Sequence, residues 1–356
     1  MSSKVTIQDI ADALGVSRNT VSKAINNTGV LAASTRDKVL QKAQEMGYKQ
    51  FSYLNISEAA KLSSASDANI SEKHEIALFL GNFVGNSHFA STMLDKFQRE
   101  LAQLGYSLAM YRVTAEEIEG LKLPDAFAKD RTAGIACIEI FDHTYCRMLC
   151  TLDTPILLID SPANGFGSPL EADRLYMDNY TEICRFIKDM AERGKKRIGF
   201  IGKYMHCQSF YERYMSYRNA MYTLGIPCPE EYCLTEHEPG SFNPEPFQEY
   251  LTEKFRKMKS LPDVFLCAND AIALIALQCL KNLGYSVPGN VCLCGFDDSP
   301  ESKIVTPTLT TIHIHSQDMG FCAVQLLISR INEPSLNYRT MHVETNLIYR
   351  ESTEDK

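Results

Sequence analysis

The chain predicts an all-α helix-turn-helix head followed by an α/β body of two lobes, each a parallel sheet with helices on both faces. Three observations predict it: a pair of short amphipathic helices in the first fifty residues, a long alternation of apolar strands and helices from His74 onward, and a length of 356 residues. That length is too great for one ordinary domain, and a hydrophobic content of 45% is ample for sizeable cores.

In the head, Ile7, Ile10, Ala11 and Leu14 follow the i, i+3, i+4, i+7 stripe of a helix with one buried face. Gly15 closes that helix, where a left-handed residue costs least. Ser17 is a good N-cap for the next helix, whose apolar side is Val21, Ala24 and Ile25. Its other face shows Arg18, Asn19, Ser22 and Lys23. A short helix led by bidentate hydrogen bonders fits the major groove of DNA and can read it. A third helix, from about Ser34 to Met46, offers Val39, Leu40, Ala43 and Met46 to complete a small core, and Gly47-Tyr48 ends it. On pattern alone, a small helical cap with no DNA role fits as well.

The formal charge of −8 would argue against nucleic acid if it were uniform. It is not. Residues 1–50 carry seven Lys or Arg against four acids, a net +3 that leaves −11 for the rest. A basic head on an acidic body suits phosphate contact at one end.

The body reads as strands at Glu75 to Gly81, Tyr106 to Val113, Ala133 to Ile138, Pro155 to Ile159, Arg197 to Gly202, Pro262 to Cys267 and Val291 to Gly295. Between them lie helices such as Phe89 to Leu104, Tyr180 to Arg193, Tyr211 to Leu224, Asn269 to Leu283 and Gln317 to Ile331. Continuously apolar strands separated by helices indicate parallel sheets covered on both faces. With about 280 residues available, two lobes are expected rather than one.

The runs Thr-Ile-x-Asp-Ile-Ala, Val-Ser-x-x-Thr-Val-Ser-x-x-Ile-Asn, Ser-Thr-Arg-x-Lys-Val and Met-Gly-Tyr resemble the headpiece of the lactose-repressor (LacI/GalR) family of transcription factors. The resemblance continues through Asp178-Asn179, Ile198-Gly-Phe-Ile-Gly202, Ala268-Asn269-Asp270, Gly295-Phe296-Asp297-Asp298 and Thr306-Pro-Thr-Leu-Thr-Thr-Ile312, and so spans nearly the whole chain. It implies a periplasmic-binding-protein-like core with a ligand in the interlobe cleft, and a division into a head at 1–50, a hinge or linker at 51–73 and an effector-binding and dimerisation core at 74–350. Within the core, one lobe is expected to take about 74–175 and 310–335, the other about 176–309 and 336–350.

From the resemblance, Arg18, Asn19 and Lys23 are expected to read bases. Thr6, Ser17, Thr20, Ser22, Asn26 and Thr35 are expected to complete the DNA contacts, largely by holding phosphates. A second phosphate-contacting serine of the family stands here as Ala32. The hinge departs too. The family's Pro-Asn-x-x-Ala-Arg-x-Leu is absent, and Ser57-Glu-Ala-Ala-Lys-Leu62 is the nearest piece, with Ser57 as a cap and Leu62 as the minor-groove wedge. Leu54 competes for that wedge.

The pocket implied by matching motifs takes Asn86, His88 and Phe89, then Arg213, Phe242, Asn269, Asp270 and Asp297. Aromatic faces cover the apolar side of a sugar ring, and Asp, Asn and Arg pair with vicinal hydroxyls. His88, standing where the family often has proline, has the alternative of a plain surface residue, and Asp270 that of capping the helix it opens. Arg213-Tyr-Met-Ser-Tyr217 and His313-Ile-His315 depart from the family pattern, so a reshaped pocket is expected.

The function implied is a ligand-responsive repressor of carbohydrate-utilisation genes, working as a homodimer on near-palindromic operator DNA, with a sugar or sugar derivative as effector and no cofactor. A phosphoprotein or sugar-phosphate corepressor is the first alternative, and a sugar-binding protein of a transport system the second. An enzyme is not expected, because no Gly-x-Ser-x-Gly elbow or His-Glu-x-x-His occurs and the glycine-bearing strand ends are too poor in glycine for a dinucleotide fingerprint. The twelve cysteines follow no export signal and no Cys-x-x-Cys spacing, which predicts buried reduced thiols, no metal and a cytoplasmic protein. No apolar stretch approaches the ~20 residues needed to cross a bilayer.

Overall fold

A computed structural model describes residues 6–25, 35, 38–39, 41–43, 46, 74–81, 88–164, 167–239 and 244–354, leaving aside the side chains of Ile25, His88 and Phe89. The chain divides into two units, Met1–Ile70 and Ser71–Lys356. Expectations for Asn26, Ala32, Leu40, Gly47-Tyr48 and the whole hinge with Leu54, Ser57 and Leu62 lie outside the described residues.

In the first unit, α1 (Ile7–Leu14) begins at a capping box. The Thr6 hydroxyl accepts from the Asp9 amide at 3.3 Å, and the Asp9 carboxylate accepts from the Thr6 amide at 2.7 Å. Gly15, at φ 64°, ends the helix in the left-handed conformation expected of it. Ser17 then caps α2 (Arg18–Ile25), its Oγ accepting from the Thr20 amide at 3.1 Å. Positions 35, 38, 39 and 41–43 are helical. Ile10, Ala11, Val21, Ala24, Val39 and Ala43 are buried together, with Ile7, Leu14, Val16 and Met46 packed around them.

The second unit runs β1 (Glu75–Leu80), α3 (His88–Gln103), β2 (Ser107–Arg112), α4 (Ala115–Glu119), β3 (Thr132–Ile138), α5 (His143–Cys150), β4 (Ile156–Ile159) and β5 (Asp173–Met177). It continues with α6 (Thr181–Glu192), β6 (Ile198–Ile201), α7 (Gln208–Thr223), β7 (Cys233–Leu234), α8 (Glu245–Lys257), β8 (Val264–Cys267), α9 (Asp270–Asn282) and β9 (Cys292–Cys294). It closes with α10 (Pro300–Ile304), β10 (Thr311–Ile314), α11 (Ser316–Asn332), β11 (Thr340–Val343) and β12 (Thr345–Ile348).

Two parallel sheets form the lobes, ordered β11-β5-β4-β3-β1-β2 and β7-β6-β8-β9. Successive strand residues face opposite ways, so both faces of the first sheet need cover. Ala77, Phe79, Ile135, Cys137, Ile156 and Leu158 pack with Tyr145, Cys146 and Leu149 of α5. On the other face α11 packs against α3, β3, β4 and β5. Strands buried on both sides carry the uninterrupted apolar runs that made them legible.

The chain crosses between lobes three times: after β5, through β10, and through β12. The last two pair antiparallel, Thr311 opposite Ile348. Here one expectation is corrected. Residues 336–350 were assigned to the second lobe, but Thr340–Val343 is an edge strand of the first sheet, in parallel register with β5. The buried Asp173 carboxylate fixes it there, accepting from Arg330 Nη2 of α11 at 2.9 Å and from Arg339 Nη2 beside β11 at 2.6 Å. β11 is half-exposed along its length, so it has no apolar run.

Candidate DNA-reading face and interlobe cleft

On α2, Arg18 and Asn19 are exposed, and Thr20, Ser22 and Lys23 are half-buried. Backbone satisfaction uses part of this set. Ser17 Oγ and Thr20 Oγ1 share a hydrogen bond of 2.8 Å, and the Thr6 hydroxyl also donates to Asp9 Oδ2 at 2.7 Å. The Thr6 side chain holds the Asp9 carboxyl below the usual carboxylate range. Thr6 and Ser17 therefore fix the ends of the two helices, while Arg18 and Asn19 stand outward. Thr35 is helical and half-buried.

In the second unit the carboxyl ends of the strands carry the polar residues, as expected of parallel sheets. The lobes touch there. Asp160, after β4, accepts from the Ser209 amide at the start of α7 at 3.1 Å, and the Gln208 amide donates to the Ser161 carbonyl at 2.8 Å. The Phe141 ring lies 5.0 Å from His206 across the same junction.

Arg213, on α7, is 3% exposed. Its Nε donates to Asn179 Oδ1 at 2.9 Å, its Nη1 to the Ala268 carbonyl at 2.6 Å, and its guanidinium lies 3.5 Å from the centre of the Phe296 ring. Asp297 Oδ1 is 4.0 Å from Nη1. One side chain thus ties a lobe crossover to the ends of β8 and β9. Burial lowers the Arg213 pKa, but a guanidinium stays charged in proteins.

Asp297 has φ 121°, a conformation few non-glycine residues adopt, and its amide donates to the Ile312 carbonyl of β10 at 2.8 Å. Burial pushes its carboxyl pKa up, and the like charges of Asp270 and Glu139 push the same way against Arg213. Its side chain is still 30% exposed, so it is partly open to a ligand.

Asn269 takes the capping role that was the alternative for Asp270. Asn269 is the cap of α9, its Oδ1 accepting from the Ile272 amide at 3.0 Å. Asp270 is neither that cap nor a cleft residue. At 1% exposure it accepts from Thr311 Oγ1 at 2.6 Å and from the Ser299 amide at 2.8 Å, bracing the β9–α10 turn against β10. Gly295 is required beside it, because a Cβ there would sit 2.1 Å from Asp270 Oδ1.

The departing histidines fasten the crossovers. His313 Nδ1 lies 3.0 Å from Asp298 Oδ2, and His315 Nε2 lies 2.6 Å from Asn346 Oδ1 on β12. Asp298 is also held by Lys303 and Arg350.

The half-buried group of Phe141, His206, Phe210 and Glu238 was not anticipated. His206 lies 5.2 Å from Phe210 in ring centres, and its Nδ1 is 2.6 Å from Glu238 Oε2. His206 holds the Glu238 carboxyl down at about 2, with Lys203 assisting. Lys203 directly follows the Gly202 strand end, the one signal that pointed here. A cavity of about 330 Å³ opens elsewhere, beside α7, lined by Asp178, Asn179, Tyr211, Glu212, Met215 and His342 among others. Of the expected pocket residues it has none, though Asn179 also holds Arg213. Asn86 and Phe242 lie outside the described residues, and His88 and Phe89 open α3. Among the described residues no group of three or more His, Cys, Asp or Glu could hold a metal, and no helix is long and apolar enough to cross a membrane.

The family model for bacterial regulatory proteins of the lacI family matches residues 6–50, and that for the periplasmic binding protein-like domain matches residues 187–353. The HTH-type transcriptional repressor PurR of Pasteurella multocida (strain Pm70) is 27% identical over 99% of both chains. The HTH-type transcriptional regulator GalR of Streptococcus thermophilus is 26% identical, over 98% of this chain and 99% of its own. The chain belongs to the LacI family. Its fold is shared with the transcriptional regulator CelR–cellobiose complex, at TM-score 0.68 and 22% identity over 98% of this chain and 100% of that one. A lac repressor dimer bound to operator and the anti-inducer ONPF follows at TM-score 0.65 and 18% identity, over 99% of both chains. As a LacI-family protein this is a DNA-binding transcriptional repressor with the expected head and two-lobed α/β core.

Proposed function

We propose that this LacI-family repressor acts as a homodimer on near-palindromic operator DNA and that a sugar or sugar derivative in the interlobe cleft alters its operator affinity. The observation that carries the reading is Arg213, held on one lobe by Asn179, Ala268 and the Phe296 ring with the partly exposed Asp297 beside it. A fixed donor fork, an adjacent carboxylate and the nearby rings of Phe141, His206 and Phe210 suit vicinal hydroxyls on an apolar ring. The Asp160–Ser209 contact between lobes supplies a place where a ligand closing the cleft would be felt. Arg18, Asn19 and Lys23 read bases in this account, with Ser17, Thr20, Ser22 and Thr35 at phosphates. The head is residues 1–50, the linker 51–73, and the remainder to 350 holds and reports the ligand.

The experiment is a thermal-shift screen of the full chain against mono- and disaccharides and their phosphates, each hit being retested on operator binding. Stabilisation by a neutral sugar that also changes operator affinity is the expected result. Stabilisation only by sugar phosphates would replace the sugar, and none by any carbohydrate would replace the small molecule by a protein partner.

A further inference from the structure

Burial raises the thiol pKa of most of the cysteines. It drives the thiols of Cys137, Cys207, Cys267 and Cys294 upward, and those of Cys146 and Cys150 to about 12 and about 11. Cys228 and Cys233 are different. They flank the short 3₁₀ turn Glu230–Tyr232 between α7 and β7, and both are half-buried rather than enclosed. Cys228 Sγ donates to Tyr217 Oη at 3.0 Å, and Cys233 Sγ lies 3.9 Å from the same oxygen. The phenol is held in place by its own donation to the Ile198 carbonyl at 2.8 Å. Next to Tyr217 on α7, Arg218 is ion-paired to Glu230.

We propose that Cys228 and Cys233 form a peroxide-reactive dithiol, with Cys228 as the attacking sulfur and Cys233 as the resolving one. Both sulfurs sit against the same Tyr217 Oη, and the neighbouring Cys233, with Tyr217 and Arg218, draws the Cys228 pKa down while the Cys233 pKa is pushed up. Other cysteines show only upward shifts among the described residues for which one is resolved. A lowered, reachable thiol beside a second thiol is the arrangement that oxidises selectively. The Cys228 thiolate attacks one oxygen of hydrogen peroxide, the O–O bond breaks, and hydroxide leaves to become water. Cys233 then attacks the sulfenic sulfur, and its proton leaves with the sulfenic hydroxyl as a second water. Peroxide is reduced by two electrons and the two thiols are oxidised to one disulfide.

The test is peroxide treatment of the full chain followed by intact-mass and peptide analysis, with and without dithiothreitol. A loss of two hydrogens, reversed by the reductant and mapped to a Cys228–Cys233 link, is expected. In C233S the link should vanish and dimedone should label Cys228; in C228S neither link nor dimedone label should appear at Cys233. Cys137 and Cys146, buried together in the first lobe's core, serve as the enclosed control pair and should stay reduced. A link elsewhere, or dimedone spread evenly over Cys150, Cys184 and Cys322 as well, would overturn the proposal. So would unchanged oxidation in C228S, and circular dichroism of each serine variant separates loss of the reaction from loss of fold.

Discussion

Arg18 and Arg213 are the same residue type put to opposite physical use. Arg18 stands exposed at the start of α2, on a helix whose end is satisfied by Ser17 rather than by the arginine itself. Arg213 is 3% exposed and committed to a side-chain carbonyl, a backbone carbonyl and an aromatic face before any ligand arrives. The exposed one can be spent wholly on recognition, because the fold does not depend on it. The buried one is part of the fold at the place where the lobes meet, so in the proposed reading ligand binding and stability share one side chain.

The sharpest way to break this contrast is Arg213→Ala. Removing it leaves Asn179 Oδ1 and the Ala268 carbonyl without their donor and Asp297 without its counter-charge, which costs about 3 to 5 kcal/mol. Urea denaturation of the full chain should show that loss together with loss of any ligand-induced shift. A variant as stable as the parent would mean that Arg213 is a pocket residue only. Arg18→Ala should do the reverse. Its denaturation midpoint should match the parent's, while operator binding loses about 1 to 3 kcal/mol with relaxed preference at one base position. Retained base preference in a binding-site selection would remove Arg18 from the reading set.

The same contrast explains what was legible in the sequence. The helix pair of the head showed itself because Ile7, Ile10, Ala11 and Leu14 obey a helical stripe, and the structure buries Ile10 and Ala11 on it. The inner strands were visible because sheets covered on both sides need unbroken apolar runs. β5 and β11 were not, since β5 opens with Asp173-Arg174 and β11 is an edge strand held by buried ion pairs, which leave no period. At the cleft, matching motifs pointed to Arg213 and Asp297, which the fold sets 4.0 Å apart, but could not divide labour between Asn269 and Asp270. Both residue types cap helices, and only the extended backbone of Asn269, at φ −153° and ψ 177°, decides which one does. Phe141, His206 and Glu238 come from three separate loops, so only tertiary structure brings them together.

The smallest expected effect probes Asp297 itself. Below about pH 3 its carboxyl is protonated in both the folded and unfolded chain, and no cost of burying a charge arises. As pH rises the unfolded chain releases this proton first, because the folded pKa is raised by burial and by Asp270 and Glu139. Folding stability from this group therefore falls with rising pH until the folded carboxyl has also ionised. Asp297→Asn keeps the shape and removes the titration. The variant's advantage over the parent should be least near pH 3 and grow by on the order of 1 kcal/mol or more by pH 8, read from denaturation midpoints across that range. The opposing force is the attraction of Arg213 at 4.0 Å. If that attraction were the larger, Asp297→Asn would be the weaker protein at pH 8, and Asp297 would belong with Arg213 in holding the lobes together rather than standing ready for a ligand.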